Sequence, residues 1–270
     1  LSVAMPQAKS FSTPPLVLNV FNPVSFQGTA LSAVSKVLVV VVSTSSTQET
    51  SSSSFMMAST GACTGQTNNA PGVDVTTPHV QPDGSLQFTV RPSIQQSYGF
   101  CLSFSGAASS EGSQPVGGSI DAITPSAGSF SPAAVPAASA FPQTITLSGQ
   151  GLLTADSMIG IIASSATACS TSSTSSPNFK VSASGVKVNA DRTQLMQLVE
   201  VTDANEYFIC IKYSTSSTYT AVSSTSLRAA VPAVSSFSPS KFPANDAVAL
   251  TLSGQGFLSS DKLVAVSSET

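Results

Sequence analysis

Thr144-Ile145-Thr146-Leu147-Ser148-Gly149-Gln150-Gly151-Leu152-Leu153 and Ala249-Leu250-Thr251-Leu252-Ser253-Gly254-Gln255-Gly256-Phe257-Leu258 are two copies of one pattern, with Ser148 and Ser253 105 residues apart. Each copy alternates apolar and hydroxyl side chains, as a half-buried strand does. Each then breaks at Gly-Gln-Gly and resumes as an apolar run. A repeat of this length is the size of one small β-sandwich domain, so the chain reads as an array of sandwiches.

Other markers keep the same spacing. Phe130-Ser131-Pro132 and Phe237-Ser238-Pro239 open the second and third repeats, and Phe11-Ser12-Thr13-Pro14 opens the first. Proline after a short extended segment suits an edge strand, where one side needs no ladder N–H. Behind the opening, the second repeat pairs Ile145 to Leu147 with an apolar run at 158–163, and the third pairs Leu250 to Leu252 with one at 263–266. In the first repeat the corresponding pair reads as residues 16–21 and 37–42. Asn22-Pro23 and Gln27-Gly28 stand where the Gly-Gln-Gly turn is missing. Serine and threonine tracts follow at 43–54 and 170–176, too polar to bury and read as solvated flexible loops. Hairpins come next, around Gln81-Pro82-Asp83-Gly84 and Asn189-Ala190-Asp191-Arg192; in the first, Asp-Gly supplies the positive φ of a tight turn.

The late strands, Tyr98-Gly99-Phe100-Cys101-Leu102-Ser103-Phe104 and Tyr207-Phe208-Ile209-Cys210-Ile211-Lys212-Tyr213, share the pattern Tyr-x-x-Cys-apolar-x-aromatic. The two-residue period of a strand puts Tyr98, Phe100, Leu102 and Phe104 on one face, and Tyr207, Ile209, Ile211 and Tyr213 likewise. These are the expected core faces, with Cys101 and Cys210 turned away from them. Cys63 and Cys169 complete one pair per repeat, 106 residues apart, in register with the period. That registration predicts the disulfides Cys63–Cys101 and Cys169–Cys210, each stapling an outer face to a Ser/Thr-flanked loop in an oxidising compartment. Closing loops of this size is worth about 3–4 kcal/mol on the chain-entropy account. Free buried thiols are the competing reading. A metal site lacks any CxxC spacing and companion histidines.

The totals exclude other classes. Ten Lys and Arg against 13 Asp and Glu give a net charge of −3 with no basic cluster, so no phosphate-neutralising surface exists and nucleic acid is not an expected partner. Residues 37–42 form the longest apolar run, well short of the roughly 20 needed for a transmembrane helix. His79 is the only histidine and sits near a hairpin turn, which suits a surface residue better than a catalytic base. No acid pair, phosphate loop or nucleophile motif has usable spacing, so no enzyme, cofactor or metal is expected. Trp is absent, and Tyr219 is the one aromatic expected to stand isolated and exposed. The joints near 106–122 and 224–233 have too few acidic residues for calcium.

The Phe-Ser-Pro opening followed by Thr-x-Thr-Leu-Ser-Gly-x-Gly resembles the IPT/TIG branch of the immunoglobulin-like folds. The matching residues are Ile123-Thr124-Pro125-Ser126 with Gly128 and then 145–152, and Phe237-Ser238-Pro239 with 250–257. That family includes cell-surface receptors and transcription factors; the paired cysteines and the missing basic patch select the extracellular side.

The sequence therefore predicts an all-β chain of tandem immunoglobulin-like β-sandwich domains: 1–120 (divergent), 121–230, and a partial unit at 231–270. The expected role is a non-enzymatic extracellular structural or adhesive protein, a rod of repeats in a cell-surface or flagellar filament. The alternative is a glycan- or protein-binding surface module. Other protein subunits are the expected partners, with O-glycans on the Ser/Thr loops. The chain opens without Met, so a mature or partial sequence is expected. The third unit lacks a hairpin and a Tyr-x-x-Cys strand; continuation past Thr270, or a strand donated by a neighbour, is expected to complete it.

Overall fold

The computed structural model describes residues 7–12, 14–31, 34–42, 63, 68–104, 113–137, 142–241, 243, 247–257 and 261–264. The Ser/Thr tract at 43–54 lies outside them. The chain divides into two compact units, residues 1–126 with 190–192 and residues 127–189 with 193–270. It is all-β.

The first unit contains β1 (Gln7–Ser12), β2 (Leu16–Val17), β3 (Asn22–Thr29), β4 (Val34–Val41), β5 (Val73–Val75), β6 (His79–Val80), β7 (Leu86–Pro92), β8 (Ser97–Phe104) and β9 (Ser113–Ile123). One sheet runs β1-β3-β7-β5, with β6 also on β7; the other runs β2-β9-β8-β4. This is the immunoglobulin strand order, with the opening strand split between the sheets: β1 pairs antiparallel with β3, while β2 pairs parallel with β9. Between the sheets lie Val24, Phe26, Phe88, Tyr98, Phe100 and Leu102, among others. Phe11, Phe26, Phe88 and Phe100 pack edge-on or tilted at 5.2–6.0 Å, the arrangement that ring quadrupoles favour.

The second unit repeats the plan with β10 (Ser126–Ser131), β11 (Ala134–Pro136), β12 (Gln143–Gln150), β13 (Ser157–Ile161), β14 (Phe179–Val181), β15 (Lys187–Val188), β16 (Gln194–Val201), β17 (Glu206–Lys212), β18 (Thr220–Ala221) and β19 (Leu227–Ala230). Its sheets run β10-β12-β16-β14, with β15 on β16, and β11-β19-β17-β13, with β18 on β17. The same unit carries a two-stranded sheet of β20 (Ala233–Ser238) and β21 (Thr251–Gln255).

Residues 16–21 are not one strand. Only Leu16 and Val17 pair; Asn19 then enters the left-handed region at φ 60°, which asparagine tolerates, and turns the chain. The buried Asn22 side chain fastens this turn, accepting from the Val17 N–H at 2.9 Å and donating to the carbonyls of Val17, Val20 and Val90. The strand that matches Thr144 to Gly149 is β3, the segment expected to be a divergent turn. Registers prove the equivalence: Phe11↔Phe26 and Ala8↔Gly28 in the first unit correspond to Phe237↔Leu252 and Val234↔Gly254 in the β20–β21 pair, each with a bulge two residues before the phenylalanine. Gly28 is thus the first repeat's version of Gly254.

Candidate functional site

The strands β8 and β17 organise each unit. Tyr98, Phe100 and Leu102 are buried in the first core, and Tyr207, Ile209 and Ile211 in the second, with Tyr213 packed half-buried against it. The Phe104 side chain lies outside the described residues. Each leading tyrosine donates its hydroxyl four residues back, Tyr98 to the Ile94 carbonyl at 2.9 Å and Tyr207 to the Asp203 carbonyl at 3.3 Å. This is the tyrosine corner of immunoglobulin-like sandwiches. In antibody domains the second cysteine follows that tyrosine by two residues and so shares its inward face. Here the cysteine follows by three, and alternation sends it to the outer face.

There Cys101 bonds Cys63 and Cys210 bonds Cys169, with S–S distances of 2.03 and 2.01 Å. Each disulfide is buried in a small apolar cluster separate from the main core: Leu38, Val40, Cys63 and Cys101 in one unit, and Ile159, Ile161, Cys169 and Cys210 in the other. Cys169 sits in a short 3₁₀ turn, Ala166–Ser170, so the loop after β13 folds back as a third layer over the sheet.

The Ser/Thr tract after that turn is not free. Ser175 Oγ accepts from the Gly160 N–H and donates to the Phe179 carbonyl, and Ser176 Oγ accepts from the Ile162 N–H. Strand β13 is the open edge of its sheet, and these hydroxyls satisfy backbone groups that a further strand would otherwise pair. Composition alone had no means of placing a serine tract beside an edge in need of partners. Nor is Tyr219 isolated. It is half-buried against the disulfide cluster, Lys212 Nζ lies 5.4 Å from its ring centroid, and its hydroxyl is 3.4 Å from Ser157 Oγ. His79 is exposed on β6, opposite Gln87.

Two residues that the sequence did not single out shape the second unit. Asp156 is buried and accepts from the Ser214 N–H at 2.8 Å and the Leu153 N–H at 2.9 Å, tying the start of β13 to the turn after β17. Burial pushes its carboxyl above the usual carboxylate range, against the pull of those two donors. Gly160 faces the Phe179 ring so closely that a Cβ would overlap it. Among the described residues, no group of three or more His, Cys, Asp or Glu side chains comes together as metal ligands do.

Strand order, tyrosine corner and two-layer core define an immunoglobulin-like sandwich in each unit. No protein-family model matches the chain, and no curated protein matches it. Similar solved structures include the Escherichia coli adhesin FdeC, at 10% identity over 84% of this chain and 66% of that one, TM-score 0.27. Yersinia pseudotuberculosis InvD is similar at 12% identity over 85% of this chain and 60% of that one, TM-score 0.28. The teleost fish polymeric Ig receptor ectodomain is similar at 10% identity over 85% of this chain and all of that one, TM-score 0.34. The chain spans less than two thirds of the two bacterial proteins. These likenesses concern the fold, which stands on the geometry above, and say nothing of what the chain does.

Proposed function

We propose that this chain is a non-enzymatic extracellular structural or adhesive protein, a rod of immunoglobulin-like repeats belonging to a cell-surface or filamentous appendage. The observation that carries the reading is one disulfide per sandwich, at the same outer-face position of the same strand in both units. Such bonds persist in oxidising compartments. A separate bond within each sandwich suits a chain of repeated, self-contained units that contact other proteins. The Ser/Thr surface of the loop layer offers hydroxyls for O-glycans.

The domain division that fits this reading is 1–120, 121–230 and 231–270, with IPT/TIG-like openings in the second and third. Its support is the shared register of β1–β3 and β20–β21. In the same reading, further strands cover the exposed Phe237 and Leu250, as the sandwich covers Phe11 and Val24 in the first unit.

Negative-stain imaging of the native protein tests the reading. Beaded rods about one sandwich wide, on a cell surface or joined end to end, are expected; a compact globular particle with no repeat along its length contradicts it.

A further inference from the structure

The Gly-Gln-Gly motif does more than turn the chain. Ala233 and Val234, where the connector from β19 becomes β20, pair with Gln255 and Gly254. A Cβ on Gly254 would overlap the Ala233 carbonyl oxygen. Gly256, at φ +71°, would place one 2.9 Å from Pro232 Cα and 3.2 Å from the Ala230 carbonyl oxygen. Both glycines therefore lie directly on the connector, where no side chain fits and where the second also needs a backbone conformation that glycine adopts freely.

Gln255, between them, reaches both ways. Its Nε2 donates to the Val231 carbonyl at 3.5 Å, and its Oε1 accepts from Arg228 Nη2 at 3.3 Å. Arg228 belongs to β19, where it is opposite Ala134 of β11 and Glu206 of β17. The side-chain link thus runs from β21 into the sheet of the second sandwich. Clefts of about 360 and 260 Å³ flank this link, both bordered by Arg228 and Gln255.

We infer that Gly254-Gln255-Gly256 is a joint, which seats the β20–β21 hairpin on the connector and fixes its direction relative to the second sandwich. The glycines provide close approach and Gln255 provides the directional tie. Gly149-Gln150-Gly151, with Pro125 in the connector before it, repeats the same sequence elements one period earlier. As the stiffening element of a rod, the joint rests on the function proposed above; its geometry does not.

Hydrogen exchange of the whole chain, read by mass spectrometry, tests the joint. In Gly254→Val, peptides covering 230–238 and 251–256 should exchange about tenfold faster while 194–212 is unchanged. Gln255→Ala should show a smaller increase in the same peptides, and adding Arg228→Ala should not increase it further, because the two act as one link. Unchanged exchange at 230–238 in Gly254→Val overturns the inference. If that variant loses protection throughout, Gln255→Ala decides: an increase confined to those peptides supports the joint, and none overturns it. A negative imaging result for the rod would leave this exchange pattern as predicted.

Discussion

Tyr207 and Cys210 lie three residues apart on one strand and face opposite ways, the tyrosine into the core and the cysteine outward to Cys169. The disulfide therefore fastens a loop layer to the back of a sandwich and does not bridge its two sheets. Its removal should loosen the loop first.

In Cys169→Ser/Cys210→Ser, the second sandwich should still melt cooperatively, with stability lowered by roughly 2–5 kcal/mol. Limited proteolysis should then cut between residues 163 and 178 while sparing β16 and β17. Loss of all cooperative melting would show that the bond holds the core itself.

Truncating Ile209 to Ala, on the inward face of the same strand, should cost about 2–5 kcal/mol as a core cavity. Denaturant titration measures it. A cost near zero would mean the two faces of β17 are interchanged.

Gly160→Ala pushes a methyl group into the Phe179 ring, which is itself buried at 5.3 Å from Tyr207. Overpacking of this kind costs about 1–3 kcal/mol. Thermal melts of Gly160→Ala with and without Phe179→Leu should show partial relief in the double variant, and strict additivity would contradict the contact.

Asp156 predicts a pH dependence of unusual sign. Its folded-state pKa is raised above the ordinary carboxylate value of 3.8, so the folded chain holds this proton more tightly than the unfolded chain does. Its contribution is full below that value and declines as pH rises through the folded-state pKa. Asp156→Asn should flatten this part of the profile. It should also cost about 1–3 kcal/mol at neutral pH, because an amide has one acceptor oxygen for two N–H donors. Chemical denaturation between pH 3 and 7 checks both; an unchanged slope would contradict the assignment.

Alternation and repetition were the legible parts of this sequence. Tyr-x-x-Cys placed the core faces of β8 and β17 because strand period is a local property, and the opening strands stood out through their Phe-Ser-Pro repeats. The first unit's β3 was hidden by Pro23, which reads as a strand breaker. Thr89, opposite Pro23, directs both its N–H and its carbonyl to Thr76, on the far side from β3. Pro23 is therefore in a non-hydrogen-bonded pair, and its nitrogen faces the other flank, where the β1 pairing has already ended at Ser25. No ladder bond is lost, but only the register reveals this. Asp156, Gly160 and the bound serines 175 and 176 were equally unreadable, since each acts through a partner distant in sequence.

Peptide mapping of the native protein under non-reducing conditions tests the central claim most directly. The account predicts Cys63 joined to Cys101 and Cys169 joined to Cys210, with no free thiol. Cys101 joined to Cys169, or four free thiols in the native protein, would contradict it.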